Sequence, residues 1–522
     1  MTSSNTDLQS FRQQRFVLLL GIAVFLILLF LPAPEGMSPS AKHLVAVAVL
    51  MAIWWIGEGT SLAITALLPI ILFPLLGIMP SKSVAFNYAN HLIFLFLGGF
   101  MIAIAMEKWN LHKRIALHII HKVGTSPQRI VLGFMTSCGF LSLWISNTAA
   151  TMMMLPVGMA VVNEFAKQAL FNGERNPETE AKVYQSLGLV LMLGLAYSAS
   201  IGGVGTLIGT PPNIVLAGLY KELYPEYEEI SFFKWMLTAL PLVIVFLPLV
   251  WFYLCRFVSP FPLSQIEMKG GGIEIIRREL NSLGPMNPAE KAIAVVFAST
   301  AFLWIFRQPI TLGTFEIPGW SSLLANPKWV HDATVAIAMG ILLMILPANR
   351  TQGMELKGQR EYFILDWETI QHKTPWGILL LFGGGFALAN GFSKTGLDHW
   401  MAAQFHAMNG LPLGWAILIL CLGVTFLTEL TSNTATATLI LPVVGAVAVS
   451  AHFHPLELMV PAALSASFAF MLPVATPPNA IVFGSGWLKI PQMTRAGLVL
   501  NLLGAILVTT LMLTLARSLL IH

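Results

Sequence analysis

Apolar residues run along this chain in long blocks separated by short polar connections. Phe16 to Leu31, Pro241 to Tyr253 and Ala496 to Leu515 carry no charged side chain, and their lengths approach the roughly 20 residues that cross a bilayer as helix. Further spans are predicted at Leu44 to Trp55, Thr60 to Leu76, Phe232 to Tyr253, Ala292 to Phe306, Ala333 to Leu346 and Trp376 to Ala389. His91 to Val123 begins as a span and turns basic and amphipathic from Lys108, so its second half is expected to lie along the interface. Four blocks fit no simple span. The stretch around 130 to 163 is too long for one crossing and too short for two, and it has Ser146-Asn147-Thr148 at its middle. The stretch 411 to 449 does the same around Ser432-Asn433-Thr434. Both read as re-entrant hairpins with polar tips, because irregular backbone at membrane depth survives only when covered by protein or facing a water-filled cavity. The remaining two, about 186 to 220 and 458 to 484, read as broken helices interrupted by Gly202-Gly203, Gly205, Gly209 and Pro211-Pro212, or by Pro477-Pro478.

The odd blocks recur in order. Gly98-Gly99-Phe100 matches Gly384-Gly385-Phe386, Ser146 matches Ser432, and Leu155-Pro156 matches Leu441-Pro442, all at one offset of 286 residues. Gly209-Thr210-Pro211-Pro212-Asn213 matches Ala475-Thr476-Pro477-Pro478-Asn479 at an offset of 266, the first half having a longer polar connection around Asn172 to Lys182. The expected fold is an all-α polytopic membrane protein of about 11 transmembrane helices plus two hairpins in two repeats. The expected divisions are a tail and first span at 1–42, a first repeat at 43–258, a cytoplasmic connection at 259–289 and a second repeat at 290–522. Gly/Pro-broken segments at corresponding places in two halves point to a secondary-transporter binding site.

Composition agrees with this pattern. Of 522 residues 56% are hydrophobic and 10% charged, against about 25% charged in soluble domains; the mean hydropathy is +0.75. The polar start leads into a span with no small-residue cleavage site after it, so the first span is expected to stay. Basic residues favour the cytoplasmic side. With the N-terminus inside, only Lys42, Lys82, Lys221, Lys234, Arg307, Lys328, Lys394 and Arg517 fall outside, leaving 21 of the 29 Lys and Arg inside. That count makes the repeats inverted and the C-terminus external, as expected of a multi-pass protein of a cell (inner) membrane. The scattered basic residues argue against a nucleic-acid partner. Cys138, Cys255 and Cys421 sit in apolar surroundings and read as unpaired packing residues. No HExxH and no GxxxxGK[ST] occurs, which disfavours a metalloprotease and an ATP-driven pump. The Trp residues Trp54-Trp55, Trp109 and Trp400 read as interfacial belts.

Ser, Asn and Thr are preferred helix N-caps, so each triplet is expected to cap the returning arm of its hairpin and aim hydroxyl, amide and backbone N–H groups inward. A helix start of this kind receives a carboxylate or similar oxyanion; the bland reading is a cap and nothing more. Thr210 before Pro211 and Thr476 before Pro477 read as a second pair of helix starts. Unwound carbonyls upstream of them suit a hard monovalent cation, whereas a plain proline kink would only shape packing. These segments hold almost no ionisable residue, and a buried anion without a buried cationic side chain needs compensation. Cations travelling with a di-anion supply it, which favours symport over a bare pore, and the lack of a paired acid or a nucleophile–base set disfavours an intramembrane enzyme. Glu429 is the exception at membrane depth and reads either as a functional group or as a tie between the hairpin tip and neighbouring backbone. Glu58 reads as a structural turn residue.

At the paired Ser-Asn-Thr triplets, the Thr-Pro-Pro-Asn breaks and Thr428-Glu429 leading into Thr431-Ser432-Asn433-Thr434, the chain resembles the divalent anion/sodium symporter family over essentially its entire length. The resemblance implies a homodimer whose protomers each have a scaffold domain and a transport domain moving as an elevator. It implies that the triplets contact substrate carboxylate. It also implies one sodium site at Ser142, Ser146, Asn147 and the Gly209 backbone, and another at Thr428, Ser432, Asn433 and the Ala475 backbone. Sodium is then co-transported and no organic cofactor is expected. The expected function is sodium-coupled import of C4-dicarboxylates such as succinate, malate or fumarate. Dicarboxylate exchange without sodium, and sulfate or citrate as substrate, stay open.

Overall fold

The computed structural model describes residues 3–124, 126–170, 177–263, 267–268, 271–312, 315–348, 362–404 and 411–521. The described chain is helical apart from two short antiparallel ribbons, Ala169–Leu170 with Glu267–Met268 and Ile310–Leu312 with Phe315–Ile317. Ten helices among the described residues are long and apolar enough to cross a membrane. They include Asn147–Lys167 and Asn433–Ser450, the second arms of the two hairpins. Two expected spans are shorter, Leu62–Leu75 and Asp332–Ile345, as are the hairpin arm Leu413–Thr428 and the half-helix Pro455–Ala466. The first of these is interrupted at Leu67, just ahead of Pro69, whose ring removes an amide donor.

Helix boundaries reproduce the internal repeat. The first hairpin is Pro127–Ser142 with Asn147–Gln168, the second Leu413–Thr428 with Asn433–Ser450. The first arms end and the second arms begin at positions related by 286 residues. The broken helices are Pro177–Gly203 with Pro211–Leu223, and Pro455–Ala466 with Pro477–Phe483; the short helices start 266 residues apart. The first hairpin's second arm runs to Gln168 and then joins the ribbon, which is where the offset changes. Residues 171–176 of the expected polar connection, and Gly270 of the later one, lie outside the described residues.

His91 to Val123 is not one continuous segment. His91–Lys108 ends at Trp109, Asn110 takes a left-handed φ of 59°, and Leu111–Val123 begins anew. The start of that second helix is docked on protein, Lys113 Nζ 2.8 Å from Glu279 Oε2 and Arg114 Nη2 3.1 Å from Glu290 Oε2, while His118 and Lys122 are exposed. Trp109 and Trp55 are buried, not belt residues; the Trp109 indole donates to Ile364 O at 2.8 Å and that of Trp55 to Leu62 O at 3.1 Å. A membrane-depth indole N–H needs such an acceptor, and the backbone provides it. Trp54 and Trp400 are half-buried. Glu58 holds a left-handed turn with φ 50°. The three cysteines are free and buried.

The hairpins and breaks form the packed centre. Pro177–Gly203 lies against both arms of the first hairpin, and Pro455–Ala466 against both arms of the second. The repeats also interlock. The first hairpin's second arm packs on Pro477–Phe483, and the second hairpin's on Pro211–Leu223. Separately, His91–Lys108 packs on Asp332–Ile345 so closely that a Cβ on Gly98 would sit 2.5 Å from the Ala336 backbone.

Candidate ion and anion site

Ser146 occupies the cap position of its arm, its Oγ accepting from Ala149 N at 3.2 Å. Ser432 stands in the matching place with extended backbone, φ −64° and ψ 130°, but its side chain makes no cap bond. The second pair of helix starts divides the other way. Thr476 Oγ1 accepts from Asn479 N at 3.2 Å, whereas Thr210 makes no side-chain cap bond. Ser432 and Thr210 therefore keep hydroxyls that the helix ends do not use. Thr210, Thr434 and Thr476 are buried, while Pro211 is half-buried and Pro477 is exposed.

Around the first triplet the oxygens crowd together. Ser142 Oγ donates to Asn147 Oδ1 at 2.5 Å and to Ala199 O at 2.7 Å. The same end of the Asn147 amide faces Ala199 O at 3.2 Å and Gly209 O at 3.3 Å. Neighbouring glycines permit this approach: a Cβ on Gly203 would meet Asn147 Oδ1 at 2.4 Å, and one on Gly209 would meet Gly203 O at 2.4 Å. With the amide oxygen turned inward, one hydroxyl proton cannot satisfy the converging oxygens, and the cluster has the donor set of a small hard cation. With the amide turned over, its nitrogen donates to Ser142 Oγ, Ala199 O and Gly209 O and the cluster satisfies itself. The second triplet repeats the core of it. Thr428 Oγ1 donates to Asn433 Oδ1 at 2.8 Å and to Ala466 O at 2.9 Å. Ala475 is buried next to Thr476 at the second break, and no bond from it to Asn433 is seen among the described residues.

Sequence reading missed the residues that hold the breaks open. Asn213 Nδ2 donates to Gly203 O, Val204 O and Thr206 O at 3.2, 3.2 and 2.6 Å. Asn479 Nδ2 donates to Ala469 O and Leu472 O, both at 3.0 Å. Their Oδ1 atoms are buried without a partner, as are the Ser200, Ser465 and Ser467 hydroxyls. The signal was present in the fifth residue of each Gly/Ala-Thr-Pro-Pro-Asn copy. Glu429 ties the hairpin tip to backbone: its carboxylate accepts from Phe470 N (2.7 Å), Met471 N (2.9 Å), Leu472 N (3.1 Å) and Asn501 Nδ2 (2.8 Å). The matching residue of the first repeat is Leu143, whose carbonyl takes the Thr206 hydroxyl.

A cavity of about 580 Å³ opens beside the first triplet, with Ser146 and Thr148 in its wall together with Met152, Met153 and Phe100. Glu107, His112 and Lys373 line it as well, and Lys373 Nζ pairs with Glu107 Oε1 at 2.6 Å. Burial holds the His112 imidazole below its ordinary pKa, partly offset by its bond with Met106 O. The second triplet is not part of this wall; it connects to the first through the interlocked short helices.

A family model described as the sodium:sulfate symporter transmembrane region matches residues 12–521. The chain belongs to the sodium:sulfate symporter family. Within that family it is 44% identical over 493 residues to the sodium-dependent dicarboxylate transporter SdcS of Staphylococcus saprophyticus, covering 94% of this chain and 89% of that relative. It is 43% identical over 491 residues to SdcS of Staphylococcus aureus, with the same coverage. Two solved transporters share the fold at low identity. The Neisseria gonorrhoeae MtrF structure aligns with a TM-score of 0.52 at 11% identity over 96% of this chain and 94% of its own. The Alcanivorax borkumensis YdaH structure aligns with a TM-score of 0.50 at 12% identity over 82% and 86%. The chain is thus a multi-pass membrane protein of a transporter family, the class expected from its triplets.

Proposed function

We propose that this chain is a secondary active transporter that brings C4-dicarboxylates into the cell together with sodium. The observation that carries the proposal is the convergence of the Ser142 hydroxyl, the Asn147 amide and the Ala199 and Gly209 carbonyls at a hairpin tip where the nearby Lys373 is already paired with Glu107. Sodium between those oxygens supplies the charge that a di-anion at Ser146, Thr148, Ser432 and Thr434 requires. Thr428 and Asn433 hold a second ion in the same way. The arm starts at Asn147 and Asn433, with those at Pro211 and Pro477, present amide donors and dipole ends toward the carboxylates. The names of the SdcS relatives support both sodium and dicarboxylate.

In this reading the hairpins and broken helices move together as an elevator against a scaffold containing His91–Lys108 and Asp332–Ile345, in a homodimer with cytoplasmic N-termini and external C-termini. The basic surroundings of the cavity, Lys108, Lys113 and Arg114, belong on the cytoplasmic side, so the cavity at Ser146 is the inward-open face. The test is uptake of labelled succinate into proteoliposomes. Uptake against a substrate gradient, driven by an inward sodium gradient, is expected. Counterflow at full rate without sodium would make the protein an exchanger, and equilibration without accumulation would make it a channel.

A further inference from the structure

We propose that His91, Glu229 and His331 form a binding site for one divalent transition metal of the zinc class. The three residues come from separate elements: the first position of His91–Lys108, the loop between Pro211–Leu223 and Phe232–Tyr253, and the residue that precedes Asp332–Ile345. One ligand atom from each lies within 4.8 Å of the others. One edge of the site is already at ligand spacing, with His331 Nδ1 3.1 Å from Glu229 Oε2. The imidazoles of His91 and His331 lie close and tilted, ring centroids 4.6 Å apart at 35°. Metal–nitrogen and metal–oxygen bonds of about 2.0–2.2 Å in a tetrahedron place ligand atoms roughly 3.3–3.5 Å apart. Only His91 has to close in, by side-chain rotation.

Two imidazoles and one carboxylate with an open fourth position suit zinc, cobalt, nickel or copper and not calcium or magnesium, which take oxygen ligands. All three side chains are half-buried, so solvent reaches the site. The cations that face it are engaged. Arg307 Nε lies 2.5 Å from Asp332 Oδ1, and Lys221 Nζ donates to Pro225 O and Tyr227 O, both at 2.9 Å. A bound ion would take the place of the direct His331–Glu229 contact and fasten the 224–231 loop to two helix starts. None of the three residues belongs to the hairpins or breaks.

The test is equilibrium titration of the metal-stripped, tag-free full chain in detergent with Zn²⁺, repeated with Co²⁺ for its visible absorption. One Zn²⁺ per chain is expected, with Co²⁺ giving the intense bands of a tetrahedral site. His91→Ala and His331→Ala should each weaken binding at least tenfold. His331→Gln should keep a donor toward Glu229, elute and melt as the native chain does, and lose the Co²⁺ bands. Absence of saturable binding, or binding by the His91→Ala/His331→Ala double variant equal to that of the native chain, overturns the proposal.

Discussion

Glu429→Ala removes one acceptor group from four donors at once. Met471 and Leu472 are half-buried, so water can reach their amides, whereas Phe470 and Asn501 are fully buried. Leaving a buried donor unpaired costs about 1–3 kcal/mol, so the two enclosed donors set an expected loss of roughly 2–6 kcal/mol. Asn501 sharpens the effect, since its Oδ1 has no partner even in the native chain. The loss falls on the break beside Thr428 and Asn433, the second ion position in the proposed function. If about 2 kcal/mol of it is specific to the ion-bound form, apparent sodium affinity falls about 30-fold, at 1.4 kcal/mol per tenfold. Glu429→Gln keeps one oxygen for Phe470, Met471 and Asn501 and turns an NH₂ toward Leu472, the longest of the four bonds at 3.1 Å; it should fall between the native chain and the alanine variant. The assay is the sodium dependence of succinate uptake in proteoliposomes, paired with the thermal midpoint of the detergent-purified chain. An alanine variant that matches the native chain in both would refute the assignment of Glu429 as the tie across the break.

Asn147→Ala and Asn433→Ala should each abolish sodium-driven uptake while the purified chain still elutes as folded protein; transport retained by both would remove the ion sites. Gly98→Val places a side chain into the Ala336 backbone, so its yield and thermal midpoint should drop, and midpoints equal to the native would contradict the close helix crossing. Arg307→Ala leaves buried Asp332 without its cation and should destabilise by about 3–5 kcal/mol, read as a lower thermal midpoint partly recovered by Arg307→Lys. Lys373 and Glu107 are close to half exposed, so Lys373→Ala should change stability by less than about 1 kcal/mol. It should instead weaken succinate binding from the cavity side a few-fold at low salt, an effect that vanishes as salt rises.

The repeat was legible because it is written twice: Ser146 and Ser432 predict one hairpin each, and both arms begin one residue later. Periodicity also marked the breaks, since Gly202-Gly203 and Pro211 cannot sit inside a regular helix unnoticed. What stayed hidden depends on contacts between remote positions. Nothing local says that Glu107 meets Lys373 across 266 residues, or that the Glu429 carboxylate closes a break some 40 residues on. Trp109 was misread because an indole beside a basic stretch has the composition of a belt; only the acceptor at Ile364 O reveals a buried role. The His91–Glu229–His331 grouping joins three short connections that carry no shared pattern.

The crowded amide of Asn147 bears on how an unloaded carrier avoids collapse. An amide is a rotor with an acceptor at one end and donors at the other. Turned by half a rotation, its nitrogen donates to Gly209 O at 3.3 Å and Ala199 O at 3.2 Å. In the proposed function this side chain ligates sodium with its oxygen and, when the ion leaves, donates to the same carbonyls with its nitrogen. If the hairpin tip stays closed in this way on the empty return stroke of the proposed elevator, the aspartate replacement Asn147→Asp, having no donor end, should bind sodium yet fail to reset.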